Sequence, residues 1–306
     1  VAIINDTTIW VVGDFFLYDP EDTLSAFERS FNLIKWNGTK WELGRIMEPD
    51  WSSIAIAEAI YAISENDIWA GSYGDPMHWD GKTWTDYWDK NGWVNMDPQI
   101  NVIWASGPDD VFFGSVDGQI NHWDGSGFTR METPTEVHLT DIWGTGPEDV
   151  WAVGFDLLGG NRSTVIHYDG KDWALIYETG VTEGWESVES SLSGYLLSVQ
   201  TFSNTKGEAW IMANTYGIYH KTAVLSPQAE LIPMEYTGHP LAVMRGNHPD
   251  DLYIAGHHSG MYHWNGESIQ EYPLPGDVHM MGLAVSGEQV IAVGFESGHV
   301  IGFWRR

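Results

Sequence analysis

Apolar positions in this chain fall in short runs rich in β-branched and aromatic residues. Each run is closed by Gly, Pro, Asn or Asp, a spacing that predicts strands and tight turns. The clearest unit begins Leu139-Thr140-Asp141-Ile142-Trp143, turns through Gly146-Pro147-Glu148 and returns as Asp149-Val150-Trp151-Ala152-Val153-Gly154. It continues as Val165-Ile166-His167-Tyr168, an Asp169-Gly170 turn and Trp173. The same order occurs upstream: Val102-Ile103-Trp104, Gly107-Pro108-Asp109, Asp110-Val111-Phe112-Phe113-Gly114, then Ile120-Asn121-His122-Trp123, Asp124-Gly125 and Phe128. A unit is therefore four short strands, A to D, joined by polar turns. Strands A and B lack clean polar alternation, as expected where a sheet is packed on both faces.

An aromatic in strand B marks the copies: Trp10, Trp69, Phe112, Trp151, Trp210 and Tyr253, with Ile291 in the last. Most intervals are near the ~40–45 residues of a four-stranded propeller blade, and two stretch to roughly sixty through loop insertions in copies one and four. Asn37-Gly38, Asp80-Gly81, Asp124-Gly125, Asp169-Gly170 and Asn265-Gly266 join C to D, dipeptides suited to the φ > 0 positions of a tight hairpin. The pattern predicts an all-β chain, a single domain over 1–306 folded as a seven-bladed β-propeller of four-stranded antiparallel blades. The blades are expected over 1–45, 58–88, 100–131, 139–177, 195–234, 240–273 and 279–306. Val1 enters strand A midway, and Val300 to Trp304 align with strand C. The last blade is thus expected to lack its outer strand, leaving an edge open to a partner or a missing segment.

The Asp-Val-Trp-Ala-Val-Gly element (149–154) and the Ile-His-Tyr-Asp-Gly-x-x-Trp element (166–173) resemble a broad group of bacterial propeller repeats. The second also resembles the C–D hairpin of tectonin-type lectin propellers. The resemblance covers nearly the whole chain and implies the architecture. By analogy alone it implies glycan binding, since a fold does not carry a function.

Charge narrows the partners. The chain has 14 Lys+Arg against 43 Asp+Glu, a formal net charge of −29. No basic cluster is available to neutralise phosphates, so nucleic acid is not expected as a ligand. An anionic bilayer would repel the chain, and no apolar run reaches the ~18 residues of a membrane span. The excess acid suits cations or basic partners. With no cysteine, thiolate chemistry and disulfides are excluded. A secreted, periplasmic or cell-surface location is expected.

His78, His122, His167, His220 and His263 recur at one position of strand C, replaced by Lys35 and Phe303 in the other copies. Recurrence around the repeat predicts structural hydrogen bonding for them. A second set does not follow the repeat. His257 and His258 fall in a B–C loop, His279 in a D–A connection and Glu296 beside the last B–C loop. These two kinds of loop share a face in propellers, so His257, His258, His279 and Glu296 form the candidate metal set, with imidazole and carboxylate as donors. No cofactor is otherwise expected. The long connections carry Trp51, Trp88, Trp93, Trp185 and Tyr236 among carboxylates, the residue types that stack on sugar rings and accept hydroxyl protons. The resulting expectation is a non-catalytic, lectin-like glycan-binding propeller. The alternatives are a protein–protein interaction scaffold and a polysaccharide lyase or hydrolase using the His/Glu groups.

Overall fold

Each copy of the repeat folds as a meander whose antiparallel strands pair in chain order. The computed structural model describes residues 1–21, 23–48, 53–72, 74–88, 99–156, 162–180, 192, 194–214, 217–226, 228–233, 240–258, 260–274, 276–296 and 299–305. The first sheet joins β1 (Ala2–Asn5), β2 (Thr8–Phe16), β3 (Ser30–Trp36) and β4 (Trp41–Gly44), with one helical turn, α1 (Ala26–Arg29), between β2 and β3. The second joins β5 (Ala57–Ser64), β6 (Asp67–Ser72), β7 (Asp75–Trp79) and β8 (Trp84–Asp86). The third joins β9 (Ile100–Gly107), β10 (Asp110–Ser115), β11 (Ile120–Trp123) and β12 (Phe128–Met131). The fourth joins β13 (Leu139–Gly146), β14 (Asp149–Asp156), β15 (Arg162–Tyr168) and β16 (Trp173–Gly180). The fifth joins β17 (Leu196–Gln200), β18 (Ala209–Ala213), β19 (Gly217–Lys221) and β20 (Glu230–Pro233). The sixth joins β21 (Leu241–His248), β22 (Asp251–Gly256), β23 (Met261–Trp264) and β24 (Ile269–Glu271). The last copy gives β25 (His279–Ser286), β26 (Gln289–Glu296) and β27 (His299–Arg305).

The described residues therefore form six four-stranded blades, not seven, and a three-stranded sheet in the last copy. A second correction concerns register. The sequence alignment puts Phe303 opposite Ile291, but the ladder pairs Ile291 with Trp304. The reason is that β26 and β27 pair without a bulge from Glu296↔His299 to Val290↔Arg305, which leaves no freedom to slip. No helix among the described residues is long and apolar enough to cross a membrane.

The C–D turns are built as the sequence suggests. In the second blade Asp80 Oδ1 accepts the N–H groups of Lys82 and Thr83, both at 2.8 Å, and Gly81 sits at φ +92°. Asn37, Asp124, Asp169 and Asn265 make the same pair of bonds. The side chain thus replaces a ladder partner and fixes the reversal. A β-bulge near the start of strand A also recurs, between Leu139 and Asp141, Leu241 and Val243, and Met280 and Gly282. There the incoming chain presses on strand B. A Cβ on Gly154, Gly256 or Gly294 would lie 2.0, 2.3 or 2.2 Å from the carbonyl oxygen of His138, Pro240 or His279. Close backbone approach therefore explains the glycine that closes the Asp-Val-Trp-Ala-Val-Gly element.

Contacts divide the chain into two compact units, Val1–Ser115 with Ile120–Met131, and Val116–Gln119 with Glu132–Arg306. Within each, apolar clusters lie between successive sheets. In the first unit Trp10, Leu33, Ile68 and Met77 fill one such layer, and Trp69, Ile103, Phe113, Trp123 and Phe128 the next. In the second unit the layers centre on Trp151, Val199 and Tyr219, on Trp210, Met244 and Tyr262, and on Tyr253, Met280 and Leu283. Each fully buried Trp removes enough apolar area from water for roughly 4–6 kcal/mol of stabilisation, before conformational entropy is counted. The strand-B aromatic is a core residue for this reason.

Candidate functional site

The repeated histidines are structural. His78, His122, His167, His220 and His263 each place Nε2 2.6–2.8 Å from an acid at the entry to strand B of the same blade: Asp67, Asp110, Asp149 and Asp251 as its first residue, and Glu208 just before it. Each imidazole also lies against the strand-B aromatic directly across the ladder, at ring-centroid distances of 4.2–4.6 Å. The acid and aromatic are two residues apart, so both project to the face from which the histidine approaches. In the first blade Lys35 takes the histidine position and lies 3.9 Å from the Trp10 ring centroid. Asp149 is the most buried of the acids. Burial pushes its carboxyl up, but donation by His167, Thr145 and the Gly207 N–H outweighs this and holds it at about 2.

The histidines outside the repeat behave differently. In the second unit the β22–β23 connection carries His257 and His258, and the segment entering β25 reads Asp277-Val278-His279. Val278 is fully buried and anchors that segment. His257 Nδ1 and His279 Nδ1 lie 2.8 Å apart, a contact that needs one nitrogen protonated and the other not. His258 Nδ1 lies 2.7 Å from Asp277 Oδ1. The His279 ring stacks on Phe295 at 5.4 Å. Burial, then the neighbouring His279 and His258, hold the His257 imidazole below the usual histidine range.

One ligand atom from each of His258, Asp277 and His279 can be chosen so that all lie within 4.8 Å of one another. Of the four residues proposed from sequence, the structure brings His257, His258 and His279 together. Glu296 instead accepts the N–H of Asp277 at 2.8 Å, and the carboxylate grouped with the histidines is Asp277. Sequence reasoning missed Asp277, although an Asp-x-His pair at the mouth of a strand was visible beside His279.

The first unit presents an aromatic surface on the β2–β3 connection, and its rigidity follows from local chemistry. Asp19 accepts N–H groups from Leu24 (2.8 Å), Glu21 (3.2 Å) and Thr23 (2.6 Å), which holds its carboxyl below the usual range. Ser25 and Glu28 form a capping box on α1, with the Ser25 N–H donating to the Glu28 carboxylate at 2.8 Å. Arg45 donates to the carbonyls of Ser30, Phe27 and Glu28 at 2.8, 3.0 and 3.0 Å, and its guanidinium covers the rings of Phe27 and Phe31. Arg29 lies over Phe16 in the same way. Held by these bonds, Phe16, Leu17, Tyr18 and Phe27 remain 60, 44, 82 and 46% exposed.

Of the five aromatics proposed as ligand contacts, Trp88 follows β8, is 58% exposed, and donates its backbone N–H to Asp86 Oδ1 at 2.5 Å. Trp51, Trp93, Trp185 and Tyr236 lie outside the described residues. From sequence, Asp14 to Ser30 reads as a long loop that carries Tyr18 and a helical turn at Leu24 to Arg29, which α1 matches, but nothing in the sequence says that the aromatics stay outside.

No protein-family model matches the chain, and no curated protein matches it. Solved structures do. YCF48 bound to D1 peptide is 14% identical, with a TM-score of 0.64 over 99% of this chain and 96% of that one. YCF48 from Cyanidioschyzon merolae is 12% identical, with a TM-score of 0.64 over 96% of this chain and 98% of that one. The WD40 repeats of RRP9 are 7% identical, with a TM-score of 0.58 over 78% of this chain and 74% of that one. At these identities the likeness shows the fold alone, a β-propeller of four-stranded antiparallel blades.

Proposed function

We propose that this chain is a non-catalytic binding propeller that recognises a protein segment, docked on the β2–β3 connection. The observation that carries the reading is a pre-ordered loop with Phe16, Leu17, Tyr18 and Phe27 exposed and Arg29 and Arg45 over its rings. Aromatic and Arg side chains dominate the energetics of protein interfaces, and apolar groups held outward mark such sites. Because the Asp19 bonds and the capping box already order the loop, binding loses little conformational entropy there. The net charge of −29 favours a segment that is basic as well as apolar. The YCF48 structure with a bound peptide lends the reading support by analogy of fold.

The test is selection of binding peptides from a random display library, followed by affinity measurement on purified protein. We expect selected sequences rich in Lys, Arg and aromatics. Their binding should weaken by about 30-fold or more in a Phe16→Ser, Tyr18→Ala double variant, the loss typical of interface hot spots. Peptides that bind the variant as well as the parent would remove this surface from the reading. Glycan recognition is the second reading, favoured by exposed Trp88 beside Asp86. It predicts glycan-array binding that is lost in Trp88→Ala.

A further inference from the structure

We propose that His258, Asp277 and His279 bind a divalent transition-metal ion of the zinc class, leaving one coordination position for an outside ligand. The proposal is independent of the peptide surface, which lies in the other unit. Its basis is convergence. The three side chains come from the β22–β23 connection and from the segment that enters and begins β25, in different sheets, yet offer ligand atoms within 4.8 Å of one another. A tetrahedral zinc ion bound at 2.0–2.1 Å separates its ligands by about 3.4 Å, a spacing that small side-chain rotations would reach. Two imidazoles and one carboxylate suit zinc, nickel or cobalt far better than calcium or magnesium, which take oxygen ligands. Three protein ligands plus an open position is also the arrangement of zinc sites that engage a further molecule.

The surroundings hold these residues in place. His258 has φ 54°, the one non-glycine residue with positive φ among the described residues. Such a backbone costs about 1 kcal/mol or more, and positions of this kind cluster at functional sites. The connection that imposes it is closed by bonds from Gly256 N–H to the Gly260 carbonyl (2.9 Å) and from Gly260 N–H to the His257 carbonyl (3.1 Å). On the other segment Glu296 accepts the Asp277 N–H and fills the space where a Cβ on Gly276 would sit. Glu296 therefore positions the Asp277 carboxylate rather than supplying a ligand. His257 lies within hydrogen-bond distance of His279, the kind of outer partner that fixes the tautomer and orientation of a ligating imidazole.

The experiment uses the full chain, stripped with chelator and dialysed, then titrated with Zn²⁺ alone and with Ca²⁺ alone by calorimetry. We expect one zinc site much tighter than any calcium binding, absent from the His258→Ala, His279→Ala double variant. Glu296→Ala should weaken it by about 10–100-fold, as loss of an outer-shell partner does. Circular dichroism checks that the double variant folds. Should it not, His258→Ala alone serves, since that side chain is exposed. Zinc affinity unchanged by these substitutions, no zinc binding by the parent, or calcium bound equally tightly at this site would each overturn the proposal.

Discussion

Replacing Asp149 with Ala is the sharpest test of the repeat's internal logic. Its carboxylate accepts from His167 Nε2 at 2.8 Å, Thr145 Oγ1 at 2.6 Å, Trp151 Nε1 at 3.2 Å and the Gly207 N–H at 3.0 Å. All four donors lose their acceptor in the variant, and His167 is left buried without its charged partner. Leaving a buried donor without its acceptor costs about 1–3 kcal/mol, and with four donors affected we expect a total loss of about 3–5 kcal/mol. The internal control is Asp110→Ala in the third blade. That carboxylate bonds His122 and Ser106 on a more exposed surface, so about 1–2 kcal/mol is expected there. Urea-denaturation midpoints on both variants give the comparison. The same carboxylate predicts a pH dependence. Its folded value of about 2 lies below its ordinary 3.8, so its stabilisation is complete above 3.8 and is lost as pH falls through about 2. The shift corresponds to about 2 kcal/mol, so the stability gap between parent and Asp149→Asn should narrow by that amount on acidification. Equal losses in Asp149→Ala and Asp110→Ala, or a gap that does not narrow in acid, would refute the assignment of Asp149 as a buried hub.

Two other substitutions probe the second unit. Arg245 forks onto Asp141 with bonds of 2.7 and 2.8 Å, and Asp141 also accepts from Ser198 Oγ and Val199 N–H, so one buried carboxylate ties β13, β17 and β21 together. Arg245→Ala should cost about 3 kcal/mol in urea denaturation, and Arg245→Lys should recover only part of it because the fork is lost. Gly118→Ala puts a side chain at φ +76° with its Cβ 2.4 Å from the Thr135 carbonyl oxygen. We expect about 2 kcal/mol of destabilisation, read as a lower thermal midpoint, from left-handed strain plus forced movement of backbone.

The blades were legible because their determinants are local and repeated. Asp80-Gly81 specifies its turn within four residues, and the aromatic of strand B must be large because it fills the layer between two sheets. The histidine at strand C could be recognised as architectural from recurrence alone. Its partner could also have been read, since Asp67, Asp110, Asp149, Glu208 and Asp251 stand two residues before the aromatic in each of those copies. The blade count was read less well. Sequence similarity finds a seventh copy and, with Val300 to Trp304 aligned on strand C, leaves it without an outer strand; the described residues give that copy three strands, so the four-stranded blades number six.

The candidate sites were harder to read, for a physical reason. A binding surface depends on which side chains stay outside or converge, and neither property has a period. His258 and Asp277 are adjacent only because two connections of different blades meet, and their identities had to be found one at a time. Glu296 was the natural carboxylate to choose by loop position, yet it serves the backbone of the residue that joins the histidines. Phe16 and Tyr18 give the converse case. In composition they are indistinguishable from core aromatics such as Phe112 and Tyr219, and they stay exposed because Asp19, Ser25 and Arg45 spend their hydrogen bonds ordering the loop beneath them. In this loop, the non-repeating polar residues that satisfy the backbone are therefore a better guide to which aromatics stay exposed than the aromatics themselves.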